Sequence, residues 1–285
     1  MSRLFAVVLA VLIPVAYQGN GRVTSRSEPG PRRATPALPA VVVVSTGAEH
    51  ACGLSADGHA YCWGSNRLGQ LGNDDPEPAR RASATAVATV QTFVAISAGA
   101  NHTCGVTRAG EAWCWGLNLT GELGQALSPN DCAGFPCSRR PVHVEWGARF
   151  DTVSAGFGHT CALSKGQALC WGRNDRGQLG SARVDEQCEG IPCTPSPIRV
   201  GGVSGFASIS AGGDHTCGIA GAIAYCWGSN QYGQLGVETP GASNPRPLAV
   251  VRGERLVAIE ARGIRTCGRT EGGTRLCWGG ATAAP

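Results

Sequence analysis

Cys62-Trp63-Gly64 is the stretch of sequence that decides the fold, because the same tripeptide returns at residues 114–116, 170–172, 226–228 and 277–279. The steps between successive tryptophans are 52, 56, 56 and 51 residues. A period of this length matches one blade of a β-propeller, which is built from four short strands. The sequence therefore predicts an all-β fold made of five repeats.

The segments inside each repeat have the alternating pattern that is typical of strands. In the second repeat, an apolar stretch at 93–99 is followed by candidate strands at 102–106 and 111–115. A glycine-rich turn comes next, and a strand that begins with proline closes the repeat, at 141–144, 197–200 and 247–250. We expect four strands per repeat. The first repeat has no clear proline-started strand unless Pro36 to Pro39 supplies it.

The elements A-G-x-x-H-T-C-x-L, Y-C-W-G and N-x-x-G-Q-L-G resemble the repeats of the regulator of chromosome condensation family, in its exported bacterial branch with paired cysteines. The resemblance covers about residues 40–280 and implies a β-propeller. Well-known members have seven repeats, whereas this chain has five, and the fifth has Arg262 where the others have glycine and Arg265 where they have histidine. A closed five-bladed ring and an incomplete arc, completed by a second copy in a homo-oligomer, both fit.

The 14 cysteines are predicted to form seven structural disulfides. Ten of them occur as one pair per repeat, and a three-residue hairpin loop at 56–58 places Cys52 opposite Cys62. The pairs that are one residue closer together have two-residue loops, so spacing and loop length change together. The other four form two Cys-x4-Cys segments, for which a zinc site is the alternative. The predicted pairs are Cys52 with Cys62, Cys104 with Cys114, Cys132 with Cys137, Cys161 with Cys170, Cys188 with Cys193, Cys217 with Cys226 and Cys267 with Cys277.

The N-terminal region is predicted to be an export signal followed by a linker. Ser2-Arg3 precedes a 13-residue apolar run at 4–16, which is too short to span a bilayer. We expect a signal peptide at 1–18, an Arg/Pro/Ser-rich linker at 19–39 and the repeat domain at 40–285. Together with the disulfides, this predicts a secreted or periplasmic protein, without stable membrane insertion after the signal is cleaved.

The charge distribution argues against nucleic acid as a partner. Residues 1–40 carry five arginines against Glu28 alone. The remaining residues carry 19 basic and 19 acidic side chains, so the repeat domain has no basic surplus with which to neutralise phosphates.

Several recurring residues invite a functional interpretation, but a structural one is favoured. His50, His102, His159 and His215 recur two residues before a cysteine, and we expect one hydrogen bond inside each blade rather than a ring of metal ligands. The tryptophans are predicted to pack between blades, with sugar stacking as the alternative. Asp74, Asp75 and Glu77 are predicted to be solvated charges, with calcium binding as the alternative.

Binding residues are expected where the repeats differ from one another, because framework positions recur and loops do not. Phe135, Trp146, Ile191 and Tyr232 are apolar or aromatic departures in predicted loops or strand ends. With no catalytic motif and no cofactor site, the sequence predicts a non-catalytic scaffold that binds an unidentified secreted or surface protein, an inhibitor being the sharper version. A guanine-nucleotide exchange factor for a small GTPase, implied by the resemblance, and a carbohydrate-binding module are the alternatives.

Overall fold

The computed structural model describes residues 40–77, 80–126, 131–181, 184, 186–237, 241–250 and 255–280. The predicted signal peptide and linker lie outside these residues. The described residues form β1 (Val41–Thr46), β2 (His50–Ser55), β3 (Ala60–Gly64), β4 (Arg81–Ala86), β5 (Phe93–Ala98), β6 (His102–Thr107), β7 (Ala112–Leu117), β8 (Asp131–Cys132), β9 (Phe135–His143), β10 (Thr152–Ala155), β11 (His159–Ser164), β12 (Gln167–Arg173), β13 (Gln187–Cys188), β14 (Ile191–Arg199), β15 (Phe206–Ala211), β16 (His215–Ala220), β17 (Ile223–Gly228), β18 (Asn244–Ala249), β19 (Leu256–Arg262), β20 (Arg265–Thr270) and β21 (Arg275–Trp278).

These strands form five antiparallel sheets in a β-propeller arrangement, as the repeat predicts. Blade one has the strand order β1-β2-β3-β4 and blade four β15-β16-β17-β18. Blades two and three each gain a short extra strand at the outer edge, in the orders β5-β6-β7-β9-β8 and β10-β11-β12-β14-β13. Blade five has three strands, β19-β20-β21, within residues 255–280. None of the described segments is a helix that could cross a membrane.

All seven predicted disulfides are present, and no described cysteine is free. Seven disulfides fit an extracellular or otherwise oxidising location. The bonds join Cys52 to Cys62, Cys104 to Cys114, Cys132 to Cys137, Cys161 to Cys170, Cys188 to Cys193, Cys217 to Cys226 and Cys267 to Cys277.

The hairpin register agrees with the one expected from loop length. Cys52 lies directly opposite Cys62 in the β2–β3 pair, with a Cα–Cα distance of 4.0 Å. The two-residue loop is also confirmed in blade three, because Ser164 pairs with Gln167 and the loop residues Lys165 and Gly166 have φ angles of 50° and 75°. These positive angles match the twist of a tight hairpin.

The fourth strands differ in detail from the prediction. Pro141 and Pro197 lie inside β9 and β14 rather than at their starts, because the Cys-x4-Cys segments lengthen both strands at their N-terminal ends. In blade one the fourth strand is β4, which contains no proline, so Pro36 to Pro39 is not needed for it. Proline is therefore a frequent but dispensable marker of this edge strand.

Adjacent blades are joined by a repeated set of hydrogen bonds that we call the clasp. At the first junction, Nε2 of His50 lies 2.8 Å from Oγ1 of Thr103, which donates its proton to the carbonyl of Gln70 at 3.0 Å. Because the hydroxyl proton is used there, His50 is the donor to Thr103. Nε1 of Trp115 donates to the same Gln70 carbonyl at 3.0 Å. His50 and Gln70 belong to blade one, and Thr103 and Trp115 to blade two.

The clasp corrects the expectation of a histidine hydrogen bond inside each blade. The partner threonine belongs to the next blade, 51 to 58 residues further along the chain, so it cannot be identified from one repeat alone. Burial lowers the pKa of His102 and His159 to about 3 and that of His50 and His215 to about 4, which keeps all four imidazoles neutral. The later clasps are His102–Thr160, His159–Thr216 and His215–Thr266.

The hydrophobic core lies between blades rather than inside one sheet. One cluster joins Leu54 and Leu71 of blade one to Phe93 and Trp115 of blade two, and the two aromatic rings lie 6.0 Å apart. Equivalent clusters fill the next three junctions. The tryptophans of blades two to five are buried, as expected for packing between blades.

The faces of blades five and one that lie on either side of the ring closure lack the clasp. Arg265 replaces the histidine, Ala51 replaces the threonine, and Trp63 is only half-buried. A hydrogen bond of 3.1 Å from Nη2 of Arg262 to Oγ1 of Thr46 joins the two blades. In the other four blades a glycine occupies the position of Arg262. A side chain does not fit there: a Cβ on Gly156, for example, would lie only 2.6 Å from the carbonyl oxygen of Gly212 in the next blade.

Candidate partner-binding face

One face of the propeller carries most of the predicted binding residues. We define the loop face as the side on which the first strand of each blade turns into the second, at residues 47–49, 99–101, 156–158, 212–214 and 263–264. Because the strands are antiparallel, the third strand of each blade ends on this same side. The N-x-x-G-x-L-G loops, which follow the third strands of blades one to four, therefore also lie on the loop face.

Two disulfide-closed hairpins, which we call fingers, project from the loop face on blades two and three. Cys137 pairs with Leu117, the last residue of β7, so the finger residues before it extend beyond the sheet. Its two-residue turn, Ala133-Gly134, has φ angles of 54° and 87°, and the finger is closed by the disulfide to Cys132. The second finger has the same form, with a turn at 189–190 and a disulfide at Cys188–Cys193.

Each finger displays one apolar residue next to an ordered loop. The side chain of Phe135 is 42% exposed on the first finger, and Ile191 is half-buried at the same place on the second. The amide of Asn118 donates to the carbonyl of Pro136 at 2.9 Å, and Asn174 does the same to Pro192 at 2.7 Å. Disulfide and loop contacts together hold each finger at its blade, which reduces the entropy lost on binding.

The N-x-x-G-x-L-G loop of blade four displays Tyr232, whose side chain is 53% exposed. The loop is held from inside, because Oδ1 of Asn230 accepts the amide of Leu235 at 3.0 Å. Oε1 of Gln234 accepts the amide of Tyr232 itself at 2.8 Å. An exposed aromatic side chain on a fixed backbone has the properties of a binding anchor.

Phe157 is a candidate that the sequence analysis missed. It lies in the β10–β11 turn and is 55% exposed, while the equivalent positions in the other blades hold only alanine or glycine, at 48, 100, 213 and 263. It lines a central cavity of about 390 Å³ that is formed by the first strands and turns of all five blades. Alignment of the five repeats could have identified Phe157, because it is the one large residue at a position where the other repeats have alanine or glycine.

Trp146 lies apart from the other predicted residues. It follows β9, which ends opposite Trp113 near the start of β7, and therefore stands on the side away from the loop face. Its ring is half-buried against the core between blades two and three. The loop face thus brings together Phe135, Ile191 and Tyr232 with the additional Phe157, and leaves Trp146 out.

Several charged groups on this side form ion pairs. Arg173 lies 2.7 Å from Asp175 and 3.8 Å from Asp214, which links the loop of blade three to the turn of blade four. In the acidic loop of blade one, Asp74 pairs with Arg140 and Asp75 with Arg81. Among the described residues, no group of three or more His, Cys, Asp or Glu side chains is placed to hold a metal ion.

Glu122 is a buried acid at a clasp position. Its carbonyl accepts Nε1 of Trp171 and Oγ1 of Thr160, each at 2.9 Å, and Oε2 accepts the amide of Thr120 at 2.8 Å. Burial raises the pKa of the carboxyl to about 7, and the hydrogen bonds and the charge of Arg173 only partly offset that rise. The group can therefore titrate near neutral pH.

Comparison with known proteins identifies repeats in the same part of the chain as the sequence pattern does. Profiles of the "Regulator of chromosome condensation (RCC1) repeat" match residues 41–70, 93–122 and 150–178 in one version, and 57–106, 165–219 and 223–261 in another. The ultraviolet-B receptor UVR8 of Arabidopsis thaliana is 28% identical over 200 residues, which is 69% of this chain and 43% of the receptor.

Solved structures show the same fold. Prp20p of Saccharomyces cerevisiae, described with its binding properties to Gsp1p and histones, matches with a TM-score of 0.69 at 22% identity, over 78% of this chain and 54% of that one. Human WBSCR16 matches with a TM-score of 0.73 at 19% identity, over 85% of this chain and 62% of that one. The chain spans less than half the length of the curated relatives it matches.

Proposed function

Because the chain belongs to the regulator of chromosome condensation repeat family, we propose that it is a non-catalytic, exported scaffold that binds a secreted or surface protein through its loop face. Propellers of this family act mainly as regulators or binding scaffolds. The observation that carries the proposal is the display of Phe135, Tyr232 and Phe157 on one face, each on a turn or loop that is fixed by hydrogen bonds or a disulfide.

The disulfides support export. Each of the seven bonds joins two cysteines of the same repeat. Five of them are buried or partly buried and link the second and third strands of a blade, so that reduction would remove a covalent cross-link between these strands. Such a set is maintained in an oxidising compartment and is rare in the cytosol. The exchange-factor alternative needs a cytosolic or nuclear location and receives no support from this feature.

Three of the repeat tryptophans give no support to carbohydrate binding. Trp115, Trp171 and Trp227 are fully buried, and each donates its indole N–H to a carbonyl of the preceding blade. No ring face of these three residues is available for stacking against a sugar.

Export is tested first, on the full chain made in an exporting host. We expect the intact mass under non-reducing conditions, after thiol alkylation, to correspond to seven disulfides, no alkylated cysteine and a shortened N-terminus. Alkylated cysteines together with a retained N-terminus would contradict export and make the exchange factor the hypothesis to test.

Binding is tested by comparing variants of the two faces. The wild-type chain is used to capture proteins from the culture fluid of the organism that encodes it, and the captured proteins are identified. The dissociation constant of each captured protein is then measured for the wild-type chain and for the variants Phe135→Ser and Tyr232→Ser. Ile223→Ser is the matched control, because Ile223 is similarly exposed, at 49%, at the start of β17 on the opposite face. We expect the loop-face variants to weaken binding about tenfold or more and the control to leave it unchanged. Equal effects from both faces would refute the proposal.

A further inference from the structure

The first strands of the blades carry a ring of hydroxyl groups on the wall of the central cavity. In blades one to four a serine of the first strand lies opposite the first cysteine of the second strand, as Ser45 lies opposite Cys52. Because the register is shared, these serines stand at the same depth in each blade. The ring consists of Ser45, Ser97, Ser154 and Ser210, all of which line the cavity.

Each serine of the ring joins its blade to the next one and keeps a proton to donate. Oγ of Ser45 accepts the amide of Ala98 at 2.9 Å, and the other three serines accept an amide of the next blade at the same distance. A hydroxyl that accepts an amide in this way still has its own proton. No acceptor for these four protons lies within the described residues, so the cavity wall offers four donors on a backbone that is fixed by hydrogen bonds.

Blade five departs from this pattern at two positions that line the same cavity. Glu260 replaces the serine, and Arg262 replaces the glycine that follows it by two residues in the other blades. Nε of Arg262 lies 2.6 Å from Oε1 of Glu260, and Nη2 donates to Oγ1 of Thr46 in blade one. A carboxylate has a second oxygen and a guanidinium has five N–H donors. The junction of blades five and one therefore forms a polar wall that can both accept and donate hydrogen bonds.

The opposite side of the cavity carries an aromatic ring. Phe157 lies at the rim and is 55% exposed, at the position where the other blades have alanine or glycine. Successive blades pack against each other around the ring, so blade three is separated by one blade from blade five and by one from blade one. Phe157 thus stands across the cavity from the polar wall. A molecule between them meets a flat apolar surface on one side and hydrogen-bonding groups on the other.

Charge and size limit the class of ligand that this cavity fits. Among the described residues that line it, Glu260 and Arg262 carry the only charges, so any ion that enters meets a like charge beside the opposite one. An apolar ligand would leave the serine hydroxyls without hydrogen-bond partners. The volume of about 390 Å³ lies in the range of sites for small organic ligands. These properties favour a neutral molecule with several hydroxyl groups and one apolar face.

We propose that the central cavity binds a sugar, either free or as the terminal residue of a glycan. The serine ring and Arg262 donate to oxygens of the sugar, Glu260 accepts from its hydroxyls, and Phe157 packs against its C–H face. This site goes beyond the proposed binding of a protein and does not depend on it, because neither Phe135 nor Tyr232 lines the cavity. It uses none of the repeat tryptophans.

Titration of the full, oxidised chain with monosaccharides tests the proposal. The probes are glucose, galactose, mannose and N-acetylglucosamine, with inorganic phosphate as the probe for a simple anion. NMR shifts of four amides report on the site, because these amides donate to the serine ring. They belong to Ala98, Ala155, Ala211 and Ala261. We expect at least one sugar to shift them saturably, with a dissociation constant of about 1 mM or lower, and phosphate to leave them unchanged.

A double variant removes the polar wall. Glu260→Ser combined with Arg262→Gly introduces the residues that the other four blades have at these positions, so the fold accepts both. The matched control is Glu111→Ser combined with Arg246→Ser, which removes an exposed acid and an exposed arginine outside the cavity. We expect the cavity variant to weaken sugar binding about tenfold or more and the control to leave it unchanged.

A single variant removes the aromatic wall without touching the junction of blades five and one. Phe157→Ala introduces the residue that blades one and two have at this position, Ala48 and Ala100. Ile223→Ala, at a similarly exposed site on the opposite face, is its control. We expect Phe157→Ala to weaken sugar binding several-fold and Ile223→Ala to have no effect.

The source of the sugar is identified by comparing the best monosaccharide with its linear tetrasaccharide. Tighter binding of the tetrasaccharide, with further shifts on the loop face, supports the end of a glycan as the ligand. Equal binding of the two supports a free sugar.

Three outcomes would overturn the proposal. If none of the four sugars produces a saturable shift, the cavity is not a sugar site. If phosphate binds more tightly than the sugars and this binding is lost in the double variant, the cavity is an anion site. If sugar affinity is unchanged in both the double variant and Phe157→Ala, the sugar binds elsewhere on the chain.

Discussion

Replacement of Glu122 by glutamine should stabilise the protein by an amount that grows with pH. Three other repeats carry glutamine here, at positions 70, 178 and 234, and in each its Oε1 accepts a backbone amide at 2.8 or 2.9 Å. Oε2 of Glu122 accepts the amide of Thr120 at 2.8 Å, so glutamine fits the site without rearrangement. The substitution therefore removes a titrating charge and retains the packing.

The magnitude follows from the raised pKa. Burial moves the pKa of Glu122 from 4.5 to about 7. Below pH 4.5 the carboxyl is protonated in the folded and the unfolded chain, and glutamine brings no gain. Between pH 4.5 and 7 the unfolded chain ionises more readily than the folded one, and stability falls as pH rises. Above pH 7 the cost is constant at about 3 kcal/mol, since each pKa unit corresponds to about 1.4 kcal/mol.

The assay is urea unfolding with the disulfides intact, followed by tryptophan fluorescence at several pH values from 4.5 to 8. Titrations that wild type and variant share, including those of the histidines, cancel in the difference between the two. Glu111→Gln, at an exposed position in the same blade, is the control for loss of a carboxyl as such. A stability difference for Glu122→Gln that is constant across this pH range would refute the reasoning.

Three further predictions follow from the clasps and disulfides. Thr216→Val leaves His159 and the Gln178 carbonyl without their hydroxyl partner and should cost about 2 kcal/mol in urea unfolding, whereas Ser83→Ala at an exposed site of blade one should change little. In the Glu122→Gln background, the free energy of unfolding should be constant above pH 6.5 and fall as the pH drops toward 4. The reason is that the four clasp histidines have lowered pKa values in the folded chain, so that the unfolded chain binds protons more readily in acid. A urea midpoint that does not fall toward pH 4 would contradict neutral clasp histidines. Joint replacement of Cys132 and Cys137 by serine should weaken partner binding while shifting the urea midpoint less than joint replacement of Cys161 and Cys170, which lie fully buried between strands; the reverse order would show that the finger stabilises the fold.

The sequence was sufficient for features that one repeat contains in full. Strand alternation, hairpin loop length and cysteine spacing are local, so the pairing of Cys52 with Cys62 and the two-residue turn at Lys165-Gly166 could be predicted by counting residues. The clasp could not, because the histidine of one repeat and the threonine of the next meet only after two blades are packed. Within a single repeat, the clasp threonine has no feature that distinguishes it from other strand residues.

The candidate site was predicted only in part, for a related reason. Phe135, Ile191 and Tyr232 stand out as departures from the repeat, but the face that each occupies depends on strand direction. Phe135 begins β9 on the loop face, whereas Trp146 follows the end of β9 on the other face. Phe157 and the two facing arginines of blade five emerge when each position is compared across blades with its burial known. Arg269 and Arg275 then stand where four blades bury an aliphatic residue and an alanine.

The disulfide pattern has a consequence for how the protein matures. Every cysteine is joined to its nearest unpaired neighbour along the chain, from Cys52–Cys62 through to Cys267–Cys277. An oxidase that joins cysteines in the order in which they emerge from a translocation pore would therefore produce the native set, out of about 135,000 ways to pair 14 cysteines. Maturation of this chain should then require a disulfide-forming enzyme but no enzyme that reshuffles disulfides.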